Sequence, residues 1–98
     1  MRRLKHIVMW KFKTGTDSQR REFLDGLRAL NGQIESIRSM EISENQLPSG
    51  DCDAVLVAMF DDESGLNLYK NDPRHLAVSA LCKSIREARH AVDYYIEE

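Results

Sequence analysis

Residues 53–61 read Asp-Ala-Val-Leu-Val-Ala-Met-Phe-Asp (DAVLVAMFD). Seven apolar residues between two carboxylates are too few for a typical helix and match a strand in length. Alternate positions form two sets, Val55, Val57 and Met59 against Ala54, Leu56, Ala58 and Phe60. Both sets are apolar, so this strand must be covered on both faces. That requirement organises the reading of the chain on either side of it.

Upstream, Asn45–Gly50 contains Pro48, Ser49 and Gly50 and reads as a loop. Before it, Met40 and Ile42 alternate within a weaker strand over 37–44. Residues 3–13 alternate as well: His6, Val8, Trp10 and Phe12 take one side, and Ile7, Met9, Lys11 and Lys13 the other. Thr16 or Asp17 can cap a following helix, in which Phe23, Leu24, Leu27, Leu30 and Ile34 recur at helical spacing, with Asn31-Gly32 as the stop. Downstream, 63–70 is a short helix with Leu66 and Tyr69 one turn apart, ended by Asn71-Asp72-Pro73. Pro73 suits the first turn of another helix, whose inward stripe is expected at Leu76, Ala80, Leu81, Ile85 and Ala88. Residues 89–96 alternate again as the last strand.

The order β-α-β-β-α-β, with its second helical region split, is the ferredoxin-like split βαβ plan. It predicts an α+β domain over 1–98 with one four-stranded antiparallel sheet and helices on one face. Phe23, Leu27, Leu30, Leu76 and Ala80 are expected to pack on the face carrying Val8, Trp10, Leu56 and Phe60. Ile7, Met9, Val55, Val57 and Met59 then fall on the face without helices. Two copies packed face to face about a two-fold axis would bury them, so a homodimer that closes an α/β barrel is expected.

Bulk properties narrow the function classes. The chain has 98 residues, 42% hydrophobic and 31% charged, with 14 Lys plus Arg against 16 Asp plus Glu. A net charge of −2 argues against a nucleic-acid partner. Arg2, Arg3 and Lys5, like Arg20 and Arg21, read as solvated surface. No apolar run approaches the ~18 residues of a membrane span, and charges interrupt the N-terminal apolar stretch, so a cytoplasmic location is expected. Cys52 and Cys82 lack CxxC spacing and are expected to be free thiols. His6, His75 and His90 are too scattered for a metal site, His90 having the opposite strand parity to Asp93, so no metal or cofactor is expected.

Four strings carry a resemblance: KHIVMWKFK at 5–13, DAVLVAMFDDESGLNLY at 53–69, YKNDPRH at 69–75 and Val92-Asp93-Tyr94. In order and spacing they are similar to the stress-responsive A/B barrel family. The resemblance implies a ferredoxin-like protomer and a homodimer whose sheets form a barrel. It includes a cofactor-free polyketide cyclase whose pocket positions match His6, Tyr69 and His75 here, with Asp93 at the final Asp-Tyr. Two positions depart from the family strings. Asp72 replaces the first His of the Tyr-x-x-His-Pro-x-His string, and Trp10 stands where a smaller aliphatic residue is usual.

The candidate site is therefore His6, Tyr69 and His75, supported by Asp93 and lined by Val8, Trp10, Phe23 and Leu56. His6 on an apolar face needs a partner, and Asp93 can supply one. Such a pair can be a buried structural hydrogen bond, or a carboxylate orienting an imidazole for acid–base work. Two functions follow: a binding dimer with a pocket for a small apolar or aromatic molecule, and a cofactor-free enzyme using His and Tyr for aldol or proton-transfer chemistry. Pocket volume separates them, because Trp10 can fill the space a ring would need.

Overall fold

A computed structural model describes residues 1–98. Its elements are β1 (Arg2–Phe12), α1 (Asp17–Leu30), β2 (Ser39–Glu44), β3 (Ala54–Phe60), α2 (Glu63–Asn71), α3 (Pro73–Ile85) and β4 (Arg86–Glu97). The four strands form one sheet in the order β2-β3-β1-β4, and every pairing is antiparallel. The two strands richest in apolar residues are thus central, and the more polar β2 and β4 take the edges.

β3 alternates strictly between buried and half-buried residues. Its buried set, Ala54, Leu56, Ala58 and Phe60, joins Leu4, Val8, Trp10 and Phe12 of β1 under the helices. α1 adds Phe23, Leu24, Leu27 and Leu30 to the same core. α1 and α3 lie close together because Gly26 has no side chain: a Cβ there would come within 3.3 Å of Val78 Cγ2.

Four expectations need correction. Leu76 is 53% exposed and Ala80 is also exposed. The helix starts at Pro73 with His75 turned inward, so the inward positions are 75, 78, 79, 82 and 85, and Leu76 is rotated away from the core by about 100°. β4 begins at Arg86, because the chain leaves α3 directly in an extended conformation, so Ala88 belongs to a strand. β2 begins at Ser39; Ile37 is buried in the preceding turn, its N–H donating to the Ile34 carbonyl at 3.2 Å. Thr16 occupies the N-cap of α1 without capping it through its side chain, and its hydroxyl donates instead to the Lys13 carbonyl at 2.6 Å.

The face of the sheet away from the helices carries Ile7, Val55, Val57 and Met59, all half-buried, beside the exposed Met9, Val92 and Tyr94. β4 places Val92 opposite Ile7 and Tyr94 opposite Lys5, which extends the apolar surface to the sheet's edge.

Candidate functional site

The antiparallel register sets His6 of β1 directly across from Asp93 of β4. Adjacent strands with matching side-chain direction bring the two groups together, and the Nδ1–H of His6 donates to Asp93 Oδ1. A carboxylate only accepts, so this bond leaves the Nε2 lone pair of His6 available in the neutral ring. His6 is 2% exposed and is the one polar residue among those fully buried. Burial lowers its pKa below the ordinary histidine value; Asp93 opposes that shift, and the Lys70 and Arg89 charges add to it. The ring is therefore held neutral near pH 7.

Tyr69 comes from the last turn of α2, a helix capped at its start by the Asp62 carboxylate, which accepts the Gly65 N–H at 3.0 Å. Its ring is buried, with a centroid 6.3 Å from that of His6 and 5.3 Å from that of Phe60. Burial raises the phenol's pKa, so it stays a hydroxyl donor at neutral pH. His75 sits in the first turn of α3 with its ring centroid 4.3 Å from that of Tyr69. Its Nδ1–H donates to the Lys70 carbonyl at 3.1 Å, one of the carbonyls left unpaired at the end of α2. Burial is the main cause of its lowered pKa, and its neutral form also leaves Nε2 free.

Asp72 links these two helices. Its Oδ1 accepts the Arg74 N–H at 2.9 Å and caps α3, while both carboxylate oxygens accept from the Arg74 guanidinium. Arg74 reaches on to the Gln33 carbonyl at 2.9 Å. These hydrogen bonds hold the Asp72 carboxyl at about 2. An aspartate at this position thus fixes the helix break that presents Tyr69 and His75.

The three rings border a single cleft between the sheet and α1 and α3, with Val8, Trp10, Phe23 and Leu56 in its lining. Its volume is about 50 Å³. That is the space of one or two waters, well short of the ~150 Å³ cavity known to hold a benzene ring. Trp10 is part of the lining and packs edge-on against Phe23, ring centroids 5.1 Å apart. Asp93 stands behind His6 and does not line the cleft.

The lining also contains Leu27, Ser79, Cys82, Arg86 and Arg89, which the sequence reading did not place at the site. One signal pointed to Arg89. It has the same strand parity as Asp93, and it lies opposite Trp10 as Asp93 lies opposite His6. Parity likewise sends His90 to the other face, where it borders a hollow of about 500 Å³ with Met9, Cys52 and Val55. The three histidines therefore do not converge. Volume favours that hollow and chemistry favours the cleft, where the ionisable groups have aligned partners. Cys52 and Cys82 are free thiols.

This is a ferredoxin-like protomer with a histidine- and tyrosine-bearing cleft under its helices. The model of the Stress Responsive A/B Barrel Domain matches residues 4–96, and the chain belongs to that family. A dimeric ferredoxin-like protein of unknown function from Bacteroides fragilis NCTC 9343 has 26% identity and a TM-score of 0.88, over 96% of each chain. A second such dimeric protein, from Thermobifida fusca YX, has 25% identity and a TM-score of 0.86, over 97% of this chain and 92% of that one. The hydroxynitrile lyase of Passiflora edulis shares the fold at 14% identity, with a TM-score of 0.85 over 98% of this chain and 94% of that one. No curated protein sequence matches the chain. No helix is long and apolar enough to cross a membrane.

Proposed function

We propose that the chain works as a homodimer and binds a small molecule in the cleft, with His6 poised to move a proton on it. The observation that carries this reading is the convergence of His6, Tyr69 and His75 on one cavity, with Asp93 behind His6. A purely structural histidine pair would need no second imidazole and no phenol around the same space.

Dimerisation is supported by the apolar helix-free face and by structural relatives described as dimeric. Face-to-face packing of two sheets closes the α/β barrel and leaves each protomer's cleft on the outer side of its own sheet. Free thiols suit a reducing compartment, which supports a cytoplasmic location.

The volume of about 50 Å³ limits the ligand to a few heavy atoms unless the lining moves. No aromatic ring fits beside Trp10 as it stands. In the enzymatic form of the reading, His6 Nε2 takes a proton from a carbon next to a carbonyl, or from a hydroxyl. Asp93 steadies the resulting imidazolium, and the Tyr69 hydroxyl donates to the oxygen that gains charge. A hydroxynitrile lyase is built on the same fold, so a small hydroxynitrile belongs among the compounds tested.

The deciding experiment is NMR titration of the intact protein with hydroxyacetone, acetone cyanohydrin and pyruvate, following the histidine and tryptophan side chains. Binding in the cleft shifts His6, His75 and Trp10 together. Deuterium exchange at carbon in the bound ketone then tests chemistry. Removing a general base typically costs about 10²–10⁴-fold, so His6→Ala should abolish exchange above background. Binding with no exchange above the buffer rate would leave a binding protein and eliminate the enzyme.

A further inference from the structure

The cleft's ionisable lining is unbalanced. Arg86 and Arg89 both border it, and no carboxylate does. Asp93, on the same side of β4 as Arg89, is engaged by His6 Nδ1. The protein's arginine ion pairs involve Arg3, Arg20, Arg28, Arg38 and Arg74, and neither cleft guanidinium takes part. Unpaired cations beside a partly desolvated cavity attract an anion more strongly than cations in open water do.

We infer that the cleft takes a small carboxylate, a 2-oxo acid or a close analogue, with Arg89 and Arg86 receiving the carboxylate and the carbonyl end pointing toward His6 and Tyr69. This rests on the proposal that the cleft is a small-molecule site, and it names the ligand class. The guanidinium fork matches a carboxylate's two oxygens. Arg89 is placed for the role by register: it faces the helices opposite Trp10, four residues before Asp93 on the same side of β4. It borders the same cleft as His6, Tyr69 and His75. Both imidazoles are held neutral, so the guanidiniums supply the positive charge. Size agrees as well. An interior of about 50 Å³ suits only the short carbon end of such an acid, and the more exposed Arg89 would hold its carboxylate toward solvent.

The test is a matched pair on the 98-residue chain: pyruvate against pyruvamide, nearly equal in shape and different in charge. Both are titrated by NMR into the unchanged protein, Arg89→Gln, Arg89→Lys and Arg86→Gln. Arg89 is exposed, so its substitution should leave the fold intact, as amide spectra will verify. Pyruvate should shift His6, His75 and Trp10 and bind about tenfold or more tightly than the amide, the worth of one charge-assisted hydrogen bond. Arg89→Gln should reduce pyruvate to the amide's level, Arg89→Lys should keep part of the preference, and added salt should weaken pyruvate alone. Equal binding of the two compounds at the cleft would overturn the anion preference and leave the small-molecule reading standing. A preference for pyruvate that survives both Gln substitutions would overturn the role of the arginines. If neither compound moves the cleft resonances while hydroxyacetone or acetone cyanohydrin does, this inference fails alone; if none of them does, the small-molecule reading fails with it.

Discussion

A buried imidazole is unstable as a cation unless something nearby compensates, and at His6 desolvation outweighs Asp93. Removing the carboxylate's charge while keeping its shape should therefore lower the His6 pKa further. Asp93→Asn is expected to move the NMR titration midpoint of the His6 ring downward, and an upward shift or none would contradict the assignment of Asp93 as its supporting group. The same burial has a consequence for stability. The folded pKa values of His6 and His75 both lie below the unfolded value of 6.5. Below that pH the unfolded chain binds more protons, so stability is full above about 6.5 and falls as pH drops toward the folded values. The depressed carboxylates, Asp61 and Asp72, act only below their unfolded value of 3.8, so the window from 6.5 down to about 5 belongs to the histidines. Denaturant melts at pH 7.5 and 5.5 should show this loss, and His75→Gln should reduce it. An unchanged difference in that variant would remove His75 as a contributor.

At the level of elements, α1 and α3 contribute to the core unequally. α1 buries four large residues, whereas α3 fully buries only Cys82 and Ile85. Leu27, 2% exposed, borders both the core and the cleft. Leu27→Ala should cost about 2–5 kcal/mol, transfer and cavity terms together. Leu76 was expected inside and is 53% exposed, so Leu76→Ala should change stability by no more than about 0.5 kcal/mol. Urea melts of the two variants check the phase of both helices at once, and comparable losses would show α3 rotated from its described orientation.

For the whole molecule, the helix-free face is the unsatisfied feature. Ile7, Val55, Val57 and Met59 stay half-exposed in the protomer, next to Val92 and Tyr94. In the proposed dimer a second copy would cover them. A charge placed there without a partner would be costly. Val57→Lys and Met59→Glu should therefore shift the protein from dimer to monomer or aggregate by light scattering, while an unmutated protein that runs as a stable monomer would end the barrel reading.

Alternation and turn residues carried the order of elements from the chain alone, because strand period and helix breakers are local properties. The parity of His6 and of Asp93 was legible in the same way, as was their membership of the face under the helices. Asp93 was named as a partner for His6, but the adjacency that lets them meet was not legible. Strands holding residues 87 positions apart can occupy opposite edges or lie side by side, and only the order β2-β3-β1-β4 makes β1 and β4 neighbours. The phase of α3 also escaped a local reading, since Leu76 and Val78 are equally apolar and only docking against Gly26 of α1 selects between them. The sequence reading assigned Arg86 and Arg89 no role; the packing of β4 beside β1 puts them in the cleft lining. Trp10 was visible as an obstruction, but the space left beside it, about 50 Å³, depends on how its ring packs against Phe23. Local patterns set which way each side chain points; distances between groups far apart in the chain come only from the packing that closes the sheet and seats the helices on it.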